Sequence, residues 1–218
     1  MQDDLDKITT RISQTVSCTE AEGPGNRYAL WFQGCPLRCP SCCNPEYLSF
    51  QGGVLRSVSE ILQEILEINS ANKLTEKLTI EGITLLGGEP FAHSQFAAHL
   101  AREVQQHQLS VMVFTGYTRQ QLEEQKDFWV DLLLTHTDIL VDGPYLRDYP
   151  DTQRRWIGST NQQIHFLTDR YAPDDPCWQK RNTLEIRLSA EGQLVVNGFP
   201  DPNLSSLWRG KFEGKIKK

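Results

Sequence analysis

Four cysteines fall within nine positions, in the run Gly34-Cys35-Pro36-Leu37-Arg38-Cys39-Pro40-Ser41-Cys42-Cys43-Asn44-Pro45. The first three are spaced C-x3-C-x2-C. On a helix these three positions would share one face. Pro40 argues against a helix, because it lacks an amide hydrogen and its ring clashes with the preceding turn. With Gly34, Pro36 and Pro45 also present, the segment is expected to be a loop that folds its thiols inward around a metal centre. Apolar packing alone gives no reason to set four thiols among prolines.

The other two cysteines, Cys18 and Cys177, stand alone. Disulfide frameworks belong mainly to small secreted chains that cannot build a core. This chain has 218 residues and 39 % hydrophobic content, enough for one core and one domain. Its first eleven residues are acidic and polar, without the apolar stretch of a signal peptide. No apolar run approaches the ~20 residues of a membrane span, so no membrane partner is expected and the expected location is the cytoplasm. The formal net charge is −6, which offers no electrostatic footprint for nucleic acid. The basic tail from Lys211 to Lys218 reads as a solvated end.

Three thiolates leave a four-iron cluster with one iron lacking a protein ligand. Electron-transfer clusters normally have four cysteines, whereas an open coordination position marks a catalytic metal site. Cys43 directly follows Cys42 and is poorly placed to reach the opposite corner of the same cluster. The alternative is a zinc site completed by Cys18, Cys177 or one of the five histidines. Zinc sites usually show paired C-x2-C spacings, and only one such pair occurs here. The spacing therefore favours a cluster.

Strands and helices alternate along the chain. Arg27 to Gln33 reads as a buried strand. Ser57 to Asn69 reads as a helix opened by a Ser57/Glu60 capping box, with Ile61, Leu62, Ile65 and Leu66 on one face. Leu78 to Leu86 holds a strand ending in ITLL. Phe96, Ala97, Leu100 and Val104 mark a second helix. Val111 to Phe114 is a strand, and Thr118 with Gln121 caps a third helix that carries on towards Leu134. Asp138 to Val141 and Gln163 to Leu167 are further strands. Leu184 to Val196 reads as a hairpin turning near Glu191-Gly192. Long loops are expected at 142–156 and 169–176. The pattern predicts βαβ units, with too few strands for a closed eight-fold barrel.

Ordered motifs extend beyond the cysteines. They are Gly23-Pro24-Gly25-x-Arg27, Gln33-Gly34-Cys35, Asn44-Pro45, Gly87-Gly88-Glu89-Pro90, Thr115-Gly116-Tyr117, Asp142-Gly143-Pro144, Gly158-Ser159-x-Asn161-Gln162 and Asn197-Gly198-Phe199-Pro200. Together they resemble the radical S-adenosylmethionine superfamily. Within it they resemble the activating enzymes of glycyl-radical enzymes, and most of all the anaerobic ribonucleotide reductase activating proteins. Ser41 and Cys43 depart from the family pattern.

The resemblance implies an α/β fold, a single-domain partial (β/α) barrel with about six mainly parallel strands. It would span residues 23–200, between an N-terminal extension (1–22) and a polar tail (201–218). It also implies that Cys35, Cys39 and Cys42 hold a 4Fe-4S cluster whose open iron is chelated by S-adenosylmethionine. Ser41, Cys42 and Cys43 would touch the adenosyl part through their backbone. Gly87, Gly88, Glu89 and Pro90 would meet the ligand's ammonium group. Their place after an apolar run independently suggests a strand end where backbone approaches a ligand closely. Thr115 and Asp142 would lie near the methionyl carboxylate and ribose.

The implied reaction is one-electron cleavage of S-adenosylmethionine to methionine and a 5′-deoxyadenosyl radical, with flavodoxin or ferredoxin as electron donor. That radical would take a hydrogen atom from a glycine of the partner enzyme. Two rivals remain: a related enzyme acting on a peptide or small molecule, and a non-enzymatic zinc or iron–sulfur module such as a redox sensor. Arg27 either binds a carboxylate near the cluster or forms a surface ion pair. Asn161 and Gln162 either touch substrate or cap a loop. The histidines show no metal-type pairing, and Trp129, Trp156, Trp178 and Trp208 read as packing residues.

Overall fold

The computed structural model describes residues 2–40, 42–74, 79–188, 192 and 194–199. Ser41, Leu78, Glu191, Pro200, Trp208 and the 201–218 tail lie outside the described residues.

The most continuous apolar runs become the centre of one sheet. These are β2 (Arg27–Phe32), β4 (Gly82–Leu86), β5 (Ser110–Phe114) and β6 (Ile139–Asp142), reached after β1 (Thr9–Thr19) and β3 (Val54–Ser57). Every residue of β2, β4 and β6 is buried, as expected for parallel strands covered on both faces. With β7 (Gln163–Phe166), the order is β3-β1-β2-β4-β5-β6-β7. The pairings β2–β4, β4–β5 and β5–β6 are parallel. Those of β1 with β2 and β3, and of β6 with β7, are antiparallel. The chain is thus a single-domain α/β fold with an open, mixed sheet. Parallel pairing occupies its centre. Five of the seven strands, β2 to β6, run in one direction, and the sheet has one strand more than the six expected.

Consecutive right-handed crossovers that step across a sheet in one direction place their helices on one face. The crossovers here carry α2 (Val58–Leu74), α3 (Ser94–Gln106), α4 (Arg119–Glu124) and α5 (Phe128–Thr135), following the short α1 (Gln2–Leu5). Their apolar stripes, including Ile61, Ile65, Phe96, Leu100, Val104 and Leu133, pack on Tyr28, Leu30, Ile83, Leu85, Val111, Val113 and Leu140. The opposite face carries Ala29, Trp31, Leu86, Met112, Ile139 and Val141. Trp156, Ile157, Tyr171 and Trp178 cover part of it, so Trp156 and Trp178 are packing residues. The hairpin of β8 (Leu184–Leu188) and β9 (Leu194–Gly198) forms a separate two-stranded sheet. It reaches the same face through Phe199, whose ring lies 5.9 Å from that of Phe114.

Three local outcomes bear on the sequence reading. Both halves of the Ser57/Glu60 capping box form. The helix expected from Thr118 towards Leu134 is two helices, because Lys126 takes a left-handed φ of 50° and Asp127 caps a new start by accepting from Trp129 N and Val130 N. The segment 1–22, read as an extension, supplies β1 to the interior of the sheet. Register shifts at Ile12/Gln14 and Val16/Thr19 interrupt its alternation, which hides the strand from a period-two reading.

Candidate functional site

The cysteine loop leaves the C-terminal end of β2, and its described residues from Cys35 to Cys42 form no helix. Arg38 sits at φ 48° within it. The loop folds back on its continuation. Gly34 N donates to Tyr47 O at 2.8 Å and Cys35 N to Leu48 O at 3.1 Å. Gln33 adds a side-chain amide bond to Glu46 O at 3.2 Å. Cys35 is buried, Cys39 and Cys42 are half-buried, and Cys43 is exposed.

The three spaced thiols feel one another. Burial pushes the Cys35 thiol up, opposed by the main-chain N–H groups of Arg38 and Leu37, with Cys39 adding repulsion. Burial also raises Cys39, reinforced by Cys42 and opposed by the N–H of Tyr145. Cys42 is instead drawn down to about 6, chiefly because the Cys43 S–H donates to it. Amide donors directed at closely grouped thiols are what ligand sulfurs of an iron–sulfur cluster receive, so these residues fit that group. Among the described residues, no three His, Cys, Asp or Glu side chains converge on a single ion.

Cys18 lies on β1 beside Thr19, which pairs with Arg27 at the start of β2. The thiol of Cys177 senses Arg155 and Glu81, and Glu81 precedes β4. Both cysteines therefore belong to the end of the sheet away from Cys35. The six residues of β2 span about 20 Å, which separates this end of the sheet from Cys35.

The Gly87-Gly88-Glu89-Pro90 turn lies at the C-terminal end of β4 and touches the root of the cysteine loop. Gly87 and Gly88 have φ of 59° and 53°. A Cβ on Gly87 would lie 2.1 Å from Trp31 Cδ1. One on Gly88 would lie 2.6 Å from Phe32 O and 2.7 Å from Gly34 O. Only glycine allows both the left-handed conformation and this approach. Glu89 N then donates to Gly34 O at 3.0 Å.

The Glu89 carboxylate is sealed from solvent, with 1 % of the residue exposed. It accepts from Phe91 N at 3.0 Å, Thr115 Oγ1 at 2.8 Å and Gly116 N at 2.9 Å. Burial pushes its carboxyl up to about 7 despite these donors. The Thr115-Gly116 turn also meets the cysteine loop, since a Cβ on Gly116 would lie 2.6 Å from Leu37 Cδ1. Sites at the C-terminal ends of adjacent parallel strands are where α/β sheets bind ligands. The structure thus brings together Cys35, Gly87, Gly88, Glu89, Pro90 and Thr115.

Asp142 is engaged differently. Its Oδ2 accepts from Arg119 N, the first turn of α4, at 2.6 Å and lies 3.1 Å from His165 Nε2. It reaches the group through the main chain, where Gly143 N donates to Tyr117 O. Asn161 and Gln162 brace a loop: Asn161 Nδ2 donates to Pro144 O and Gln162 Nε2 to Gly143 O.

Arg27 neither approaches the cysteines nor lies on the surface. It is fully buried at the start of β2. Its guanidinium donates to Thr84 Oγ1, Ser110 Oγ and the carbonyl of Ile83. Tyr171 joins the same network and donates to Glu81. Gln33, part of the Gln33-Gly34-Cys35 motif, and Leu37, which had no sequence signal beyond adjacency to the cysteines, also shape the site.

Among the described residues, no helix is long and apolar enough to cross a membrane. The model of the 4Fe-4S single cluster domain family matches residues 21–165. An anaerobic ribonucleoside-triphosphate reductase-activating protein from Haemophilus influenzae is 30 % identical over 150 residues, covering 66 % of this chain and 89 % of the relative. The protein of that description from Escherichia coli strain K12 is 30 % identical over 151 residues, 66 % of this chain and 91 % of the relative. The one from Salmonella typhimurium is 30 % identical over 162 residues, 72 % and 99 % respectively. The chain therefore belongs to the 4Fe-4S single cluster domain family and to the family of the anaerobic ribonucleoside-triphosphate reductase-activating proteins.

Proposed function

We propose that this chain is a radical S-adenosylmethionine enzyme that generates a glycyl radical on a partner of the anaerobic ribonucleotide reductase type. The observation that carries this reading is the bond from Glu89 N to Gly34 O at 3.0 Å. It seats the glycine turn at the end of β4 against the root of a three-cysteine loop. Cys35, Cys39 and Cys42 would hold a 4Fe-4S cluster, leaving one iron for the amino and carboxylate groups of S-adenosylmethionine. When bound, the cluster would supply one electron to the sulfonium, so that its C–S bond breaks to methionine and an adenosyl radical able to take a hydrogen atom from a glycine Cα.

The chain's own residues then orient the ligand. Main-chain carbonyls at Gly87 and Gly88 would meet its ammonium group, in a turn that the absence of a Cβ lets pack against β2 and the cysteine loop. The Glu89 carboxylate, already bonded to three donors, holds this turn to Thr115-Gly116 and leaves Pro90 packed behind it. Cys42 and Cys43, with the adjacent Ser41, would meet the adenosyl part through their backbone. Thr115 would lie near the ribose and methionyl carboxylate, with Asp142 at the end of the neighbouring strand holding the start of α4. The open sheet is read as part of a barrel wall, with its free side admitting a loop of the partner. Flavodoxin or ferredoxin would deliver the electron in the cytoplasm, with no nucleic-acid or membrane partner.

The test is anaerobic reconstitution, followed by assay for 5′-deoxyadenosine and for a glycyl radical on the co-expressed reductase by electron paramagnetic resonance. Both signals are expected, and both are lost in Cys39→Ala. Cleavage without a glycyl radical would turn the reading towards a peptide or small-molecule substrate. Absence of any four-iron cluster would overturn it.

A further inference from the structure

The chain after β4 grips Phe32, the last residue of β2, at two places. Gly88 packs on the Phe32 carbonyl, where a Cβ would come within 2.6 Å of the oxygen. Further along, His93 lies flat on the Phe32 ring, with centroids 5.1 Å apart and planes within 8° of parallel. Between these contacts runs a single turn of 3-10 helix, Pro90–His93, capped by the Glu89 carboxylate. Ala92 N donates to Glu89 O at 3.0 Å. The fixed φ of Pro90 and these bonds make the link short and stiff, so a shift of His93 is passed on to Gly88.

His93 also meets both ends of the cysteine loop. Phe32 leads into the loop through Gln33 and Gly34. Phe50, on the returning chain, has its ring 5.9 Å from the imidazole and tilted by 43°. It covers Gly34, where a Cβ would run into the Phe50 ring. Thr10, a buried residue of β1, fixes the rotation of the imidazole: its Oγ1 shares a hydrogen bond of 2.7 Å with His93 Nδ1. Phe32 is fully buried and meets Phe96 edge-on at 6.0 Å, so it offers His93 a fixed surface.

We propose that His93 is a positioning residue for S-adenosylmethionine: by stacking on Phe32 it holds the 87–90 turn at its depth against the cysteine loop, and so sets the affinity of that turn for the ligand's ammonium group. The inference rests on the reading of the turn given above. Hydrogen bonds weaken with distance and steeply with misalignment, so a turn that drifts off Phe32 binds the ligand less tightly. A stacked ring pair contributes beyond the area it buries, which an aliphatic side chain does not replace.

The test compares wild type, His93→Leu, His93→Gln, His93→Phe and Arg27→Met after anaerobic reconstitution. Iron and sulfide content gives the loading, and titration calorimetry gives the affinity for S-adenosylmethionine per bound cluster. His93→Leu and His93→Gln remove the ring and are expected to weaken binding by about fivefold or more. His93→Phe keeps a flat ring on Phe32 and should stay within about twofold of wild type. Arg27→Met, destabilised at the far end of β2, should bind with wild-type affinity, which separates positioning from stability. If one of the two ring-less variants takes up no iron, the other carries the test. Loaded ring-less variants with wild-type affinity would overturn the inference and leave the site reading standing, as would an equal loss in His93→Phe. Failure of both ring-less variants to take up iron would place the ring's effect on the cysteine loop and also overturn the inference. A loaded wild type that binds no S-adenosylmethionine would overturn both the inference and the site reading.

Discussion

Glu89 Oε1 accepts the hydroxyl hydrogen of Thr115 at 2.8 Å, joining the ends of two parallel strands through a carboxylate sealed from solvent. Glu89→Ala would leave that hydroxyl and the amides of Phe91 and Gly116 without an acceptor in a buried place. The expected loss is roughly 2–4 kcal/mol of stability, measured by urea denaturation. Glu89→Gln retains one oxygen and should lose less.

Gly88→Ala tests how closely the glycine turn must approach the cysteine loop. The left-handed conformation alone costs about 1–2 kcal/mol for a side-chain-bearing residue. The methyl group would also press on Phe32 O and Gly34 O. Reduced iron uptake on reconstitution is expected. Gly52→Ala is the control: it too has a positive φ, 110°, but its nearest neighbour is Gln33 at 3.7 Å. Iron uptake in Gly52→Ala should match wild type.

Arg27→Met separates stability from the site. Removing the guanidinium leaves Thr84, Ser110 and the Ile83 carbonyl without their buried donor. The expected loss is on the order of 3 kcal/mol, seen as a lower thermal midpoint. Iron bound per folded chain should stay at the wild-type value, because Arg27 and Cys35 lie at opposite ends of β2.

Glu22 makes stability depend on pH. Burial lifts its carboxyl from an ordinary 4.5 to about 8, against the donors Asn197 and Gly198. The folded state therefore holds a proton that the unfolded state releases as pH rises above about 4.5. This contribution to stability is full below that pH, falls as pH rises to about 8, and is flat above it. Glu22→Gln should flatten that part of the profile, measured by denaturant midpoints across the range.

Much of the centre of the fold was legible in the chain. β2, β4, β5 and β6 read as apolar runs because both their faces are covered. The caps at Ser57 and Thr118 were legible because they use residues three positions apart. β1 was not, because its register shifts and many Ser and Thr residues erase the alternation. The break between α4 and α5 depends on a left-handed Lys126, a residue type that carries no signal for that conformation.

The candidate site divides in the same way. Pro40 and the C-x3-C-x2-C spacing determined by themselves that three thiols share one loop, because proline geometry and chain connectivity are local. The double glycine after ITLL marked a tight turn for the same reason. Only the tertiary structure decided what those segments meet. It set Glu89 between Thr115 and Gly116, turned Asp142 to the start of α4, buried Arg27 at the far end of the sheet, and joined Gln162 to Gly143 and Gly158. Each of these depends on which strands pair and in what register, and pairing between segments distant in the chain is settled by burial of the whole sheet rather than by any local motif.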